Sequence, residues 1–208
     1  LGNDGNLISV SDDATDDVRN IEVQLSCSFG TLTLANPSGV SPVANADGEL
    51  ADLEDGHSTM TILGTVLNIN NALNGLSFKP DENFNGQAQI DIIVDDKGNA
   101  GAGEALTVTK TIVVTVVAVN DIPTIAVPGD QTTEEDVPIT FTSISVADAD
   151  VGEGAGDLLL ELSVNFGTLS LGAIGDGLSI EGDDHSSSME LAGTPGLIND
   201  ALTGLLYT

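Results

Sequence analysis

Basic residues are nearly missing from this chain: Arg19, Lys79, Lys97 and Lys110 stand against 33 acidic residues, for a formal net charge of −29. A surface of that sign repels phosphate backbones and anionic lipid, which argues against nucleic acid and membrane insertion. It also repels itself in the compact state, so divalent cations or a salty medium must offset it. Cysteine occurs once, at Cys27, so no intrachain disulfide can form, and no Cys/His cluster has zinc-site spacing. A disulfide-free extracellular protein needs another staple, and metal is the usual one. There is no Trp, one Tyr and five Phe, so the core must be built from Val, Ile, Leu and Ala. No apolar run approaches the roughly 20 residues of a membrane-spanning helix. No signal-peptide pattern opens the sequence, which means little for a piece of a longer chain.

What the sequence does contain is a repeat. SFGTLTL at 28–34 returns as NFGTLSL at 165–171, and GHSTMTI at 56–62 as DHSSSMEL at 184–191. INNALNGLSF at 69–78 returns as INDALTGLLY at 198–207, and ISVSDD at 8–13 as ISVADA at 144–149. The spacing changes by eight residues between Leu34 and Met60, in a Pro/Gly/Asp-rich stretch that behaves as a loop. We divide the chain into a first copy, 1–119, with a truncated opening segment, and a second, 120–208, without closing strands. Both ends read as cuts through a longer array.

Val, Ile and Thr are abundant and favour strands. Period-two alternation marks strands at Ile21–Leu25, Thr31–Leu34, Ile90–Val94, Leu158–Val164 and Thr168–Leu171. Thr107–Val119 reads as a long closing strand. One short helix interrupts each copy. Thr194 caps it, Pro195 takes its first position and Gly204 stops it in the second copy; Thr65 and Gly75 bracket it in the first. The expected class is all-β, with tandem immunoglobulin-like sandwiches that each carry a helical insert.

The order of the blocks carries a resemblance. Val119-Asn120-Asp121-Ile122-Pro123 is followed by Glu134-Glu135-Asp136 and by Ser145-Val146-Ala147-Asp148-Ala149-Asp150. FGTL, the INxALxGL helix, Pro80-x-x-Asn83-Phe84-x-Gly86 and Val94-Asp95-Asp96-x-Gly98-Asn99 complete the set. As a set these resemble the cadherin-like, immunoglobulin-like tandem repeats of very large bacterial surface proteins, including RTX-type adhesins exported by type I secretion. The resemblance covers essentially the whole chain. It implies an extracellular, cell-surface extender between an anchor and distal adhesive modules, with calcium at domain junctions. Its partners would be neighbouring repeats, with host or biofilm ligands engaged through other domains.

Calcium takes roughly 6–8 hard oxygen ligands. The candidates are Asn120 and Asp121 at the junction, then Glu134, Glu135 and Asp136, then Asp148 and Asp150, with Asp95 and Asp96 in a Gly-Asn turn of the first copy. Carboxylates that converge without a cation raise one another's pKa. The alternative is a set of solvated loop acids on a salt-adapted surface. Asp12, Asp13, Asp16 and Asp17 form a first-copy counterpart of the 148–157 stretch. The Asp-rich loops 47–55 and 176–184 do not match an EF-hand.

His57 and His185 stand alone beside serines and read as turn residues, since a triad needs three groups to meet. Cys27 reads as a small buried hydrophobe. In a chain this acidic, paired carboxylates carry no glycosidase signal. No nucleophile–base pair or nucleotide motif appears, so the expectation is a non-enzyme. Two other readings stay open: a glycan- or receptor-binding module using the longer first-copy loop 35–56, and a plain acidic spacer adapted to salt.

Overall fold

The computed structural model describes residues 8–12, 19–98, 104–151 and 157–208. The fold is the expected class: all-β, in tandem sandwich repeats with one helix each. The chain divides into two compact units, Leu1–Ala118 and Val119–Thr208.

In the first unit the strands are β1 (Asn20–Cys27), β2 (Gly30–Thr33), β3 (Ser41–Pro42), β4 (Thr59–Thr65), β5 (Ser77–Pro80), β6 (Gly86–Asp95) and β7 (Thr107–Val116), with helix α1 (Val66–Leu73) after β4. One sheet runs β3-β4-β1-β6-β7, and β2 pairs with β5 in a second. Alternation decides which side chains go inward. Ile21, Val23 and Leu25 of β1, Leu32 of β2, Met60 and Ile62 of β4, and Ile90 and Ile92 of β6 join Ile69, Ala72 and Leu73 of α1 in one core. Burying each large aliphatic chain contributes about 1.5–3 kcal/mol.

The second unit holds β8 (Thr124–Ala126), β9 (Ile139–Phe141), β10 (Ser145–Ala147), β11 (Leu158–Ser163), β12 (Leu169–Ser170), β13 (Ser179–Glu181), β14 (Ser188–Gly193) and β15 (Leu205–Tyr207), with α2 (Pro195–Leu202) between the last two. Its sheets are β11-β14-β13, β12-β15-β9 and β10-β8. The repeat is kept at the level of register. Leu25 lies opposite Met60 across β1 and β4, and their counterparts Leu162 and Met189 lie opposite each other across β11 and β14. The core again joins strand residues (Leu169, Met189, Leu191, Leu205) to a helix face of Ile198, Ala201 and Leu202.

Eight-residue helices are marginal alone, and both are fixed by their ends and by one asparagine. The Thr65 hydroxyl accepts from the Asn68 amide (3.3 Å) and the Thr194 hydroxyl from the Leu197 amide (3.4 Å). Gly75 and Gly204, just beyond the helices, have φ of 96° and 84°, a region that favours glycine. Asn70 in α1 accepts from the Val10 amide (2.8 Å) and donates to the Val10 carbonyl (2.9 Å). Asn199 in α2 does the same to Val146, at 2.7 and 2.9 Å. A side-chain amide thus satisfies both backbone groups of one residue as a neighbouring strand would, and in the second unit that residue lies in β10.

The FGTL glycine has a steric cause. A Cβ on Gly30 would stand 2.4 Å from the Lys79 carbonyl oxygen, and one on Gly167 would stand 2.3 Å from that of Thr208. Lys79 and Thr208 are equivalent positions, so in both copies the backbones approach too closely for any side chain.

Three expectations are corrected. The closing strand ends at Val116, not Val119, because Gly86 opposite Val116 is the last ladder pair that β6 supplies. The strand expected at Thr168–Leu171 shortens to two residues. Cys27 is half-buried and its thiol bonds to the Gly30 carbonyl; burial, then the Asp81 charge, pushes its pKa up.

Candidate functional site

The second unit brings together four of the nine candidate ligands. Asn120 and Asp121 lead into β8, which pairs with β10, and Asp148 and Asp150 follow β10 directly. Pairing the two short strands therefore carries one acidic pair to the other. The Asp121 amide donates to Asp150 Oδ2 (2.6 Å), and the Asp150 amide donates to Asp148 Oδ1 (2.9 Å). The Asn120 side-chain amide donates to the Asp121 carbonyl (2.9 Å), which leaves Asn120 Oδ1 as an acceptor. Thr124 Oγ1 donates to the Ala147 carbonyl (3.2 Å) and ties the same strand ends.

Every available donor here is a hard oxygen, the set calcium takes, with no sulfur or imidazole to favour zinc. Among the described residues, no group of three or more His, Cys, Asp or Glu side chains converges closely enough to hold a metal ion. The donor chemistry fits calcium, and a complete cage would draw on Asn120 Oδ1 and backbone carbonyls as well as carboxylates.

Glu134, Glu135 and Asp136 go elsewhere in the unit. They line a groove of about 490 Å³ with Val137, Pro138, Tyr207 and Thr208, beside the β9–β15 pairing. The turn is closed by Thr133 Oγ1 donating to the Val137 carbonyl (2.8 Å), with Asp136 at φ 64°.

Asp95 and Asp96 belong to the first unit, where they organise the turn after β6. Asp95 Oδ1 accepts the Lys97 amide (2.6 Å), while Lys97 Nζ pairs with Glu22 at 3.2 Å. Asp96 Oδ1 accepts the amides of Gly98 (2.8 Å) and Leu106 (2.7 Å). Asp96 also lines a groove with Val10 and Asp12, the counterparts of Val146 and Asp148. Asp13, Asp16 and Asp17 lie outside the described residues.

The Gly98 and Leu106 amides hold the Asp96 carboxyl below its ordinary value of 3.8. The ionised form is the bonded one. This contribution to the folded state is complete above the unfolded value and is lost as pH falls through the lower folded one. In calcium-free buffer the Gly98 and Leu106 amide resonances are expected to titrate together with a midpoint below 3.8; a midpoint above it would contradict this bonding.

His185 is a turn residue, as expected, whereas His57 instead sits in an isolated antiparallel β-bridge with Leu32. His57 exchanges backbone hydrogen bonds with Leu32 (2.8 and 3.0 Å), and its buried Nε2 has no hydrogen-bond partner among the described residues. His185 has φ 70° and its Nδ1 lies 3.2 Å from Asp184. The longer first-copy loop borders a groove of about 270 Å³ lined by Gln24, Asn45, Glu49, His57, Thr59 and Thr61 among others, with no Phe or Tyr on which a sugar ring would stack.

Sequence reasoning missed Asn70 and Asn199 as structural residues, although both sit in the repeated INxAL block. Their identity across copies was the available signal.

No family model matches the chain, and no curated protein matches it. Among solved structures, a chain described as "BspA_C_WT" is 12% identical with a TM-score of 0.22, covering 90% of this chain and 73% of that one. The Streptococcus agalactiae AgI/II polypeptide BspA C-terminal domain is 11% identical with a TM-score of 0.22 and the same coverage. Likeness at that level bears on neither fold nor function. No helix among the described residues is long and apolar enough to cross a membrane.

Proposed function

We propose that the chain is a tandem extender segment of a bacterial cell-surface adhesin, stiffened by calcium and without catalysis of its own. The observation that carries this reading is the junction between Asn120-Asp121 and Asp148-Ala149-Asp150. The residues that begin the second unit are hydrogen-bonded to the acidic loop after β10. An ion bound by both would lock the start of the unit to its sheet. The duplicated fold, the resemblance to adhesin repeats and the net charge of −29 support the same reading. Calcium held there would neutralise carboxylates that otherwise repel one another. Glu134, Glu135 and Asp136 form a secondary acidic groove, and Asp95 and Asp96 a turn at which a further ion would find oxygen donors. Neighbouring repeats are the direct partners; host or biofilm ligands would be met by other domains. The salt-adapted spacer is the second reading, favoured by the same charge.

Calorimetry with the intact chain tests the assignment. Calcium is expected to bind with a dissociation constant of about 10⁻⁴–10⁻³ M, the range of extracellular modules. The double substitution Asp148→Asn with Asp150→Asn should weaken it at least ten-fold, whereas Glu134→Gln should change it little. Equal loss from both variants would point to diffuse charge instead.

A further inference from the structure

The repeat is broken at one polar position inside the chain. Met60 and Met189 hold equivalent places opposite Leu25 and Leu162, and counting back from them sets His57 against Ser186. Each forms a β-bridge with the leucine of its own FGTL block, Leu32 or Leu169. His185 is then the extra residue of the second unit. It is taken up as a bulge at φ 70°, its amide donating to the Leu169 carbonyl while Ser186 accepts from the Leu169 amide. Ser186 Oγ is satisfied by the Ser188 carbonyl (2.7 Å). His57 Nε2 is closed to solvent and has no hydrogen-bond partner among the described residues. A buried polar atom left unpaired costs about 1–3 kcal/mol, and a bound hydrogen-bond donor would offset that.

His57 lines the groove of about 270 Å³ under the longer first-unit loop. One wall is the outer face of β1 and β4. Gln24 lies opposite Thr61 there, and Thr59 shares that face because Met60 and Ile62 turn into the core. The facing wall is the turn at 45–49, which is bonded within itself. The Asn45 amide donates to the Glu49 carbonyl (2.8 Å), and Asn45 Oδ1 accepts the Asp47 and Glu49 amides (3.0 and 2.9 Å). A turn held together in this way can shift as one piece to admit a ligand. Glu49 is the one carboxylate of the lining, which includes no Lys or Arg, and Val43, Leu50 and Ala51 add apolar surface.

Each feature narrows the ligand. An anion meets no base and a net charge of −29. The volume lies just under the roughly 300–1,000 Å³ of drug-sized pockets, so the occupant is small. The carboxylate, the threonine hydroxyls and an imidazole nitrogen are all acceptors. A primary ammonium carries three donors on a compact head, and its methylenes can cover apolar surface. We propose that this groove binds a primary alkylammonium, either a partner's lysine side chain or a free diamine. Glu49 is its counter-ion, and His57 Nε2, an acceptor in the neutral Nδ1–H tautomer, is a second contact. The inference does not depend on calcium.

The test titrates the intact 208-residue chain, calcium-free and at fixed ionic strength, with Nα-acetyl-lysine amide and with cadaverine. Saturable one-to-one binding is expected, moving the His57, Thr59 and Thr61 resonances and leaving those of Ser186 and Ser188 in place. Tighter binding of the lysine amide supports a partner's side chain as the source, and tighter cadaverine supports a free amine. The lysine amide acetylated on its side chain, which keeps the length and loses the charge, should bind about ten-fold more weakly, as should the amines to Glu49→Gln and His57→Ala chains. Glu54→Gln, in the same loop but outside the groove, should leave binding unchanged. The proposal is overturned by non-saturable binding, by equal binding of the acetylated compound, or by unchanged binding to the Glu49→Gln and His57→Ala chains. Equal losses from Glu49→Gln and Glu54→Gln would also overturn it, because the amines would then be drawn only by diffuse negative charge.

Discussion

Replacing Asn199 by Ala is expected to destabilise the second unit by about 2–4 kcal/mol. The side chain satisfies both backbone groups of Val146, a residue 7% exposed. Truncation leaves a donor and an acceptor in a place that water reaches poorly, and each unsatisfied buried group costs about 1–3 kcal/mol. For a domain of this size each kilocalorie lowers the melting temperature by about 4–8 °C. Asn199→Asp separates the two bonds: it keeps the acceptor for the Val146 amide and loses the donor to its carbonyl. Asn70→Ala should cost the first unit less, because Asn70 holds Val10 in the same way but Val10 is only half-buried and water reaches it more easily. Urea unfolding of the single variants, read by resonances from each unit, checks this. Losses below about 0.5 kcal/mol in both would mean that the paired bonds add little.

The second large effect concerns equivalent leucines in unequal surroundings. Leu25→Ala removes a side chain 0% exposed, held between β4 and β6, and should cost about 2–5 kcal/mol. Leu162→Ala removes the same atoms from a half-buried position on β11, so it should cost less than half as much. Denaturant midpoints for the two variants decide the matter. Equal costs would show that the β11 edge is covered in solution, and a difference shows that it is open.

Much of the fold was legible because its signals are local. Thr65, Thr194 and Pro195 mark helix starts within one turn, and alternation in Ile21–Leu25 states which face is buried. The boundaries that failed were set by partners. β7 stops where β6 stops supplying pairs, and nothing near Val117–Val119 says where that is. The Asn clamps were hidden for the same reason, since Asn70 and Val10 are 60 residues apart in sequence and Asn199 and Val146 are 53 apart. The candidate site was legible in part. Carboxylates could be picked out, but proximity along the chain does not place them in space. Asp121 meets Asp150 across 29 residues because β8 pairs with β10. Glu134–Asp136, nearer to Asp121 in sequence, turn toward Tyr207 and Thr208 instead.

A thermal melt of the intact chain, with calcium, with magnesium and with excess chelator, tests the central claim most directly. At a free calcium one hundred times the dissociation constant, one site adds about 2.7 kcal/mol. That predicts a rise of about 10–20 °C in the transition of the second unit, much reduced with magnesium and absent in the Asp148→Asn, Asp150→Asn variant. No shift, or an equal shift with magnesium or at matched ionic strength with sodium, would contradict calcium stiffening and leave a salt-adapted acidic spacer.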